Sequence, residues 1–290
     1  MLFFDYDMLC FVAALGGYCY YRKKKANKKE NEKDPRIFKP LIKNALLIGI
    51  DYEKTNNELK GCSKDIEEMN KFLNDKQYKT VLLCDDTERK LQDVKCKPTG
   101  NNIIHEMLDF TKTGSDNYFF HYSGHGTYVN DQNGDEDDRR DEVLVACDEV
   151  LIRDDDINMG FLARLPKSSK CFMLMDCCHS GTICDLRYRY VAGERFVIEN
   201  QNDCSQGEVV SISGCMDVQT SADAFINNSY RGAMTTAFLE AYRINKGETT
   251  LKEHIELMRV ILKNNGYEQV PQLSFNKEGL IDRPLNYFFR

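Results

Sequence analysis

Residues 171–182 have the sequence Cys171-Phe172-Met173-Leu174-Met175-Asp176-Cys177-Cys178-His179-Ser180-Gly181-Thr182. The apolar first half is typical of a buried strand, and it stops abruptly at small, reactive side chains. A second stretch of this kind, residues 117–122, ends in Ser123-Gly124-His125-Gly126. Since open α/β sheets carry their sites at the carboxyl ends of their strands, we expect Cys178 and His125 to lie at neighbouring strand ends. The pair predicts a cysteine nucleophile with a histidine base.

The chemistry of a cysteine nucleophile explains why these two residue types occur together. A thiolate attacks a carbonyl carbon well, but a free thiol is little ionised at neutral pH and needs an imidazole or a helix amino end beside it. A lone cysteine is more often a core residue, so the catalytic interpretation of Cys178 depends on His125. Gly124 and Gly126 leave His125 uncrowded and permit backbone amides to approach a substrate oxyanion. Of the adjacent Cys177 and Cys178, we expect one to be buried and the other presented.

A zinc site is the alternative use of these side chains, and their spacing argues against it. His121 and His125 stand four residues apart, as zinc ligands do on a helix, but the surrounding pattern is that of a strand. The consecutive Cys177, Cys178 and His179 have the wrong spacing for a tetrahedral site. We expect His179 to be oriented away from the nucleophile or to be structural.

The composition narrows the class of protein. At 290 residues with 42% hydrophobic content, the chain has enough apolar residues for one sizeable core, and we expect one domain preceded by a head. The net charge of -7 is uneven, with a basic cluster in residues 22–29 and an acidic one in residues 131–156. An acidic body argues against nucleic acid as a partner. The 12 cysteines lack the spacing of a disulfide framework, which indicates a reducing compartment.

The first 40 residues divide into an apolar head and a basic linker. Residues 1–21 are largely apolar, but the uninterrupted run from Met8 to Tyr21 is shorter than the roughly 20 residues of a membrane-spanning helix. The head is therefore either a membrane anchor or a disordered or surface-lying segment. Positive charge follows the apolar run, which is unlike a signal peptide and would leave the body in the cytoplasm. Residues 22–40 are interpreted as a linker.

Residues 41–290 alternate between strand-like and helix-like segments. The predicted strands of the first half cover 44–50, 80–84 and 117–122, and the predicted helices cover 63–73 and 99–110. The first helix begins with a plausible Ser63 cap. Strand, helix, strand, helix, strand is the order of a parallel α/β sheet.

The second half continues this alternation with a long interruption. The predicted strands cover 143–146, 171–178 and 208–215, and the predicted helices cover 154–165, 231–242 and 251–263. Residues 186–208 are polar and are expected to form an exposed loop. Residues 270–275 predict an edge strand, because Pro271 has no N–H to donate within a central one.

Short motifs with chemically active residues extend from about residue 44 to the end of the sequence. They include Tyr122-Ser123-Gly124-His125-Gly126, Gly134-Asp135-Glu136, Asp141-Glu142, Asp176-Cys177-Cys178-His179-Ser180-Gly181-Thr182, Asp185-Leu186, Tyr188, Ser213-Gly214-Cys215-Met216-Asp217, Gln219-Thr220-Ser221-Ala222-Asp223, Gly232-Ala233-Met234-Thr235 and Pro271-Gln272-Leu273-Ser274. Together they resemble the metacaspases, cysteine peptidases with a caspase-like fold. The resemblance implies an α/β fold in which a mostly parallel sheet is flanked by helices on both faces, a three-layer sandwich.

The resemblance also implies a role for each matching position. It makes Cys178 the nucleophile and His125 its general base and acid, with the backbone amides of Gly126 and Cys178 facing the oxyanion. The pocket for the residue before the scissile bond falls on Cys62, Asp65, Ser123 and Asp176. Two carboxylates in a small pocket attract Arg or Lys and repel Asp, so cleavage after Arg or Lys is expected. Without the motif, Asp65 would be interpreted as a solvated carboxylate in the first turn of a helix.

Calcium is the cofactor that the resemblance implies. The family's calcium positions fall on Asp141, Asp154, Asp155 and Asp185, and calcium is a hard cation that takes six to eight oxygen ligands. Residues 131–142 partly imitate an EF-hand loop, but Glu136 stands where that loop needs Gly, so we interpret the likeness as accidental. An acidic loop retained for solubility is the remaining alternative.

The sequence thus predicts a calcium-stimulated, monomeric cysteine endopeptidase that cleaves protein or peptide substrates after Arg or Lys, without a long prodomain. The peptidase domain would cover residues 41–290, with a larger part to residue 186, an exposed loop 187–208 and a smaller part from residue 209. Self-cleavage after basic residues in 22–29 or 187–195 is a further hypothesis. The alternatives are a calcium-independent, paracaspase-like Arg peptidase and a non-catalytic scaffold with the same fold.

Three positions depart from the family's pattern. Arg139-Arg140 stands where Gly and an aromatic residue are usual, Cys177 replaces Ser, and Arg187 replaces Pro. We expect the first two to change loop geometry and redox sensitivity, and the third to offer a basic cleavage point.

Overall fold

The computed structural model describes residues 39–87, 91–130, 140–178, 183–192, 195–214, 223–226 and 229–290. The predicted head, residues 1–21, and the basic cluster of the linker lie outside the described residues. Leu41–Arg290 form one compact unit. Within the part of the chain that the structure describes, no helix is both long and apolar enough to cross a bilayer.

The described chain alternates strands and helices as the apolar periodicity predicts. The strands are β1 (Lys43–Gly49), β2 (Lys79–Cys84), β3 (Val94–Cys96), β4 (Asn117–Ser123), β5 (Gly126–Asn130), β6 (Arg140–Val145), β7 (Leu151–Arg153), β8 (Lys170–Asp176), β9 (Tyr188–Arg189), β10 (Val197–Ile198), β11 (Glu208–Ser213), β12 (Asp223–Ile226), β13 (Ser229–Gly232) and β14 (Gln272–Phe275). The helices are α1 (Cys62–Asp75), α2 (Gly100–Thr111), α3 (Asp154–Gly160), α4 (Ala233–Asn245) and α5 (Leu251–Asn264). Single 3-10 turns cover Leu162–Arg164, Leu280–Asp282 and Leu285–Tyr287.

One large sheet organises these elements. Its strand order is β10-β9-β14-β11-β8-β4-β1-β2-β3, and the six strands from β11 to β3 run parallel. The strands β14, β9 and β10 are each antiparallel to the neighbour before them in the sheet. Two smaller antiparallel sheets, β5-β6-β7 and β12-β13, follow the ends of the large-sheet strands β4 and β11 along the chain.

The large sheet separates two hydrophobic cores. Successive side chains of β1 alternate between them, with Ala45 and Leu47 in one core and Leu46 and Ile48 in the other. The first core also contains apolar residues of α1, α4 and α5, and the second contains those of α2 and α3. Since continuous apolar runs suit a sheet covered on both faces, this arrangement confirms the predicted parallel α/β sheet with helices on both sides.

The predicted Ser63 cap is wrong. Helix α1 begins at Cys62, and the position before it is Gly61, which has no side chain to cap with. The Asp51 carboxylate instead accepts hydrogen bonds from the backbone N–H groups of Cys62 and Ser63, at 2.9 and 3.3 Å. The helix is capped by a residue from the end of the preceding strand, which a local pattern does not reveal.

Three other expectations need correction. Strand β14 is not at the edge, because β9 and β10 extend the sheet beyond it, and Pro271 lies just before the strand. Residues 187–208 are not uniformly exposed, since they supply β9 and β10 and bury Tyr188 and Tyr190. Helix α3 ends at Gly160 instead of residue 165 and gives way to a 3-10 turn. Glycine is a poor helix former, which suits this early end.

Candidate active site

The ends of β4 and β8 bring the two predicted catalytic residues to the same edge of the sheet. The two strands are parallel neighbours, and Ser123 pairs with Asp176 at their carboxyl ends. The pairing continues one step further, because the N–H of Gly124 donates to the Asp176 carbonyl at 3.2 Å. His125 lies two residues after Ser123, and Cys178 lies two residues after Asp176. The expectation that they lie at neighbouring strand ends is therefore met by the strand register.

Direct backbone contact joins the two strand ends beyond the ladder. A Cβ atom built on Gly126 would lie 2.2 Å from the carbonyl oxygen of Cys178 and 3.3 Å from the sulfur of Cys177. Only glycine fits so close to another main chain. The two residues whose amides are predicted to face an oxyanion, Gly126 and Cys178, thus have main chains in contact, while the oxyanion role itself stays a prediction.

Two buried tyrosines hold His125 in place. The His125 backbone N–H donates to the Tyr52 hydroxyl at 2.8 Å, and the imidazole packs on the Tyr52 ring with centroids 4.6 Å apart. The Tyr122 hydroxyl donates to the His125 carbonyl at 2.8 Å. The two hydroxyls are 3.1 Å apart and share the Val145 carbonyl as a neighbour. The backbone of His125 is therefore fixed on both sides by partners that lie in the core.

A backbone carbonyl selects the tautomer of the neutral His125 ring. Its Nε2 atom lies 2.7 Å from the carbonyl oxygen of Asn57. A carbonyl oxygen can only accept, so Nε2 of the neutral ring carries the proton and Nδ1 retains the lone pair that a base needs. Neither Asn57 nor Tyr52 was predicted from the sequence. A carbonyl carries no side-chain signal, and Tyr52 belongs to the loop after another strand.

The two adjacent cysteines are both buried. Cys177 has no exposed surface, and 7% of the surface of Cys178 is exposed. The expectation that one is buried and the other presented holds only in degree, with Cys178 as the more accessible of the two. His179 and the following Ser-Gly-Thr lie outside the described residues, so the predicted orientation of His179 stays a prediction.

A pair of buried carboxylates lies beside this edge. Asp65 and Asp176 are each 2% exposed, and a Cβ built on Gly232 would lie 2.5 Å from the Asp65 Oδ2 and closer still to that of Asp176. The Ser123 hydroxyl donates to Asp65 at 2.8 Å, and the Gly232 N–H donates to it at 2.9 Å. Asp176 accepts from the N–H and the hydroxyl of Thr235, at 2.9 and 2.7 Å. Three predicted pocket residues, Asp65, Ser123 and Asp176, therefore converge around Gly232.

The fourth predicted pocket residue starts the same helix. Cys62 is the first residue of α1 and lies one turn before Asp65, on the same side of the helix. The Asp51 carboxylate that caps this helix has its pKa raised to about 6, chiefly by burial. A second buried carboxylate, Asp85, accepts from the backbone N–H groups of Asp51 and Tyr52, both at 2.7 Å. Asp51 and Asp85 thus anchor both the pocket helix and the tyrosine under His125.

Three of the four predicted calcium ligands lie in or beside helix α3. Asp141 and Asp154 are each 2% exposed, and Asp155 is half-buried. The Asp154 Oδ2 accepts from the backbone N–H of Glu142 at 2.7 Å, which joins the middle of β6 to the start of the helix. The Arg153 guanidinium lies 3.6 Å from the Asp141 carboxylate.

Asp185 lies on the same side of α3. The Asn158 side chain, one turn after Asp154, donates to the carbonyls of Cys184 and Asp185 at 3.0 and 3.4 Å. Burial raises the pKa of the Cys184 thiol to about 12, and the negative charges of Asp185 and Asp154 add to this shift. Across the described ranges, however, no three His, Cys, Asp or Glu side chains are spaced as a ready metal site. Calcium therefore stays a prediction.

Comparisons with known proteins agree with this arrangement. Residues 43–187, which contain both His125 and Cys178, match the family model described as the metacaspase peptidase C14 domain. A metacaspase-1 from Meyerozyma guilliermondii is 33% identical over 287 residues, with 80% of this chain and 69% of that protein covered.

Two solved structures share the fold. The crystal structure of protein GSU0716 from Geobacter sulfurreducens has a TM-score of 0.60 at 20% identity and covers 83% of this chain and 97% of its own. The crystal structure of caspase-1 from Spodoptera frugiperda has a TM-score of 0.50 at 12% identity and covers 80% of this chain and 86% of its own. At these identities the likeness establishes the caspase-like fold alone.

Proposed function

The chain belongs to the metacaspases and is a cysteine-type endopeptidase, and we propose that it cleaves after Arg or Lys, is stimulated by calcium and processes itself. The observation that carries the proposal is the convergence of two buried carboxylates, Asp65 and Asp176, on Gly232 beside the strand end that bears Cys178.

In the proposed mechanism, Cys178 is the nucleophile and His125 moves the protons. The thiol proton passes to Nδ1 of His125, and the thiolate attacks the carbonyl carbon of the scissile peptide bond. The amides of Gly126 and Cys178 donate to the oxyanion that forms. The imidazolium then protonates the leaving amine as the C–N bond breaks and a thioester remains. A water molecule, deprotonated by the same imidazole, hydrolyses the thioester and restores the thiol.

The preference for Arg or Lys rests on Asp65 and Asp176. Both carboxylates are buried and accept backbone or hydroxyl hydrogen bonds, and an ionised carboxylate offers about four lone-pair positions in all. A guanidinium or ammonium would bring one positive charge to two carboxylates, whereas an Asp side chain of a substrate would add a third negative charge. Ser123 supports this pocket by holding the Asp65 carboxylate.

The donor chemistry around α3 suits calcium. Asp141, Asp154, Asp155 and Asp185 offer carboxylate oxygens, which are the ligands that this hard cation prefers. Bound calcium would neutralise the repulsion among these acids. The carboxylates would have to draw closer to share one ion than they do here.

The proposed self-cleavage points differ in accessibility. The N–H of Arg187 donates to Asp203 at 3.1 Å, and Arg189 lies within β9, where it pairs with both β14 and β10. Arg195 is exposed, and its guanidinium forms an ion pair with Asp282. Cleavage after Arg195 needs less local opening than cleavage after the other two. The basic cluster 22–29 lies outside the described residues.

Hydrolysis of matched Arg, Lys and Asp reporter peptides, with calcium or with chelator, tests the proposal. We expect the Arg and Lys reporters to be cleaved, the Asp reporter to be spared, and chelator to reduce the rate. The substitution Asp65→Asn should lower kcat/KM for the Arg reporter by about 10- to 100-fold, because it removes one buried charge facing the substrate cation. Asp75→Asn, at the exposed end of the same helix, is the matched control and should have no effect.

Each part of the proposal has its own contrary result. Equal cleavage of the Arg and Asp reporters would refute the basic preference. Activity that chelator leaves unchanged would favour the calcium-independent alternative. Sequencing of new termini after incubation with calcium reports self-cleavage, and an active enzyme without new termini in 22–29 or 187–195 would rule it out.

A further inference from the structure

Gln269 is a buried amide without hydrogen-bond partners. Its residue is 9% exposed, and neither its Nε2 nor its Oε1 atom has a partner within the described residues. Gln269 is also the single side chain of the described part that leaves both a donor and an acceptor buried and unsatisfied. Buried amides without partners are costly, so such a group calls for an explanation.

The unsatisfied amide lies at the edge of the sheet where the strands that lead to His125 and Cys178 end. A Cβ built on Gly214, the residue after β11, would lie 2.7 Å from the Gln269 Nε2, 3.3 Å from the Cys177 carbonyl oxygen and 3.4 Å from the Met234 sulfur. Gln269 therefore faces the space that the missing side chain of Gly214 leaves beside Cys177. The next residue along the chain from Cys177 is Cys178.

The strand register explains this placement. Ser213, at the end of β11, pairs with Met175 of β8 on one side and with Gln272 of β14 on the other. Because β14 is antiparallel to β11, the segment that enters β14 lies at the edge where β11 and β8 end. Gln269 is three residues before Gln272 and so reaches this edge from the side opposite to His125.

A second buried amide, at the other end of β14, has the hydrogen bonds expected of a structural amide. Asn276 follows β14 at the opposite edge of the sheet and is 8% exposed. Its Oδ1 accepts from the Val209 N–H at 2.9 Å, and its Nδ2 donates to Ser205 and to the Gly207 carbonyl at 3.0 and 3.3 Å. Every polar atom of that side chain is used within the chain. Among the described residues, Asn276 therefore has partners for both its donor and its acceptor, and Gln269 has neither.

We propose that Gln269 is a substrate-binding residue whose amide forms hydrogen bonds with the main chain of the bound peptide next to Cys178. A carboxamide presents one carbonyl acceptor and N–H donors, which complement the N–H and C=O of a peptide group. The absence of a side chain at Gly214 leaves room for this amide beside Cys177. This inference rests on the proposed function in that Cys178 is taken as the nucleophile, and it names a contact outside the acidic pocket.

The test separates peptide binding from thiol reactivity and from folding. Gln269→Met keeps the shape of the side chain and removes its polar atoms, and Asn276→Leu does the same at the structural amide. Four quantities are measured for each variant: kcat and KM for the Arg reporter peptide, the rate at which iodoacetamide alkylates Cys178, and Tm. Iodoacetamide has no peptide main chain that extends to Gln269, so it reports the thiol alone.

The expected results differ in kind between the two variants. Gln269→Met should lower kcat/KM by about 10- to 100-fold, mostly through KM, with alkylation within about twofold of the unsubstituted protein and Tm unchanged or higher. Asn276→Leu should lower Tm and leave KM unchanged at temperatures where the protein is folded.

Two outcomes would overturn the inference. One is a Gln269→Met variant that hydrolyses the reporter within about twofold of the unsubstituted rate. The other is a parallel fall of hydrolysis and alkylation, which would show that Gln269 acts on the thiol or on folding. Failure of the proposed function would give a different result. Iodoacetamide would then alkylate Cys178 of the unsubstituted protein, yet that protein would cleave no reporter peptide. The inference would fall with the proposed function.

Discussion

Gly126 and Gly214 lie at two strand ends of the same sheet edge. A methyl group added at Gly126 would lie closest to a main-chain atom, and one added at Gly214 would lie closest to a side-chain atom. At Gly126 it would lie 2.2 Å from a main-chain oxygen, that of Cys178. At Gly214 it would lie 2.7 Å from the Nε2 of Gln269, the far end of a flexible side chain. The His125 side of the edge is thus fixed by backbone contact, while the Gln269 side is bounded by the far end of a flexible side chain. Catalysis needs reacting groups in a fixed geometry, which backbone contact provides. Recognition of varied peptides tolerates an adaptable side chain.

The largest effect that the comparison predicts is at the nucleophile itself. Cys178→Ala should reduce hydrolysis of the reporter peptide by about 10,000-fold, because the neighbouring thiol, Cys177, has no exposed surface with which to meet a substrate. Hydrolysis is measured at saturating substrate, with Tm as a check that the variant is folded. Cys204→Ala, at an exposed cysteine, is the control and should retain full activity. Substantial residual hydrolysis in the Cys178 variant would mean that the fixed side of the edge is not where the chemistry occurs.

The two glycines provide the most direct contrast. Gly126→Ala should lower kcat by about 100-fold, since the methyl group displaces the main chain that joins His125 to Cys178. Gly214→Ala should cost about three- to tenfold and act mainly on KM, because the Gln269 side chain can rotate away. Steady-state kinetics of both variants on one reporter measures the difference. Equal losses in kcat at the two positions would remove the distinction between the fixed and adaptable sides.

A smaller effect, on stability, distinguishes the edge from the core. Burial lowers the pKa of His254 from 6.5 to about 4. Below pH 6.5 the unfolded chain takes up this proton and the folded chain does not, so stability falls as the pH drops towards 4. By about pH 5 the loss is on the order of 2 kcal/mol for one such histidine. Denaturant unfolding of His254→Gln should show a correspondingly weaker pH dependence.

The matched control for this prediction is the exposed histidine of α2. His105 has a side chain that is 69% exposed, so His105→Gln should keep the pH dependence of the unsubstituted protein. Identical slopes for His254→Gln and the unsubstituted protein would contradict the prediction. If His254→Gln leaves KM and kcat unchanged at neutral pH, the losses at Gly126 and Gly214 belong to the site and not to folding.

The fold and the placement of His125 and Cys178 at neighbouring strand ends were predictable because they follow from short-range patterns. Apolar runs that end in Ser123-Gly124-His125 and in Asp176-Cys177-Cys178 predict parallel strands, and neighbouring parallel strands present their ends at one edge. The partners of His125 were not predictable in this way. Asn57 contributes only a carbonyl, whose position depends on how the loop after β1 folds.

Other features depend on tertiary context. The cap of α1 comes from Asp51, which replaces the expected Ser63 and has no characteristic spacing to the helix. A glutamine in a connecting segment has no catalytic signature either, and what distinguishes Gln269 is a buried amide that has no partner among the described residues. Both features depend on how side chains pack in the folded chain, and the order of residues in the sequence does not reveal them.

The most direct test of the central claim is the pH dependence of Cys178 alkylation, with and without the imidazole. Iodoacetamide labelling of Cys178 is followed by mass spectrometry from about pH 5 to pH 9, in the unsubstituted protein and in His125→Gln. If His125 ionises the thiol, the unsubstituted protein reacts rapidly well below the ordinary thiol pKa of about 8.5, and the variant reacts only as the pH approaches that value. Superimposable profiles for the two proteins would contradict the claim that the two strand ends form one catalytic unit.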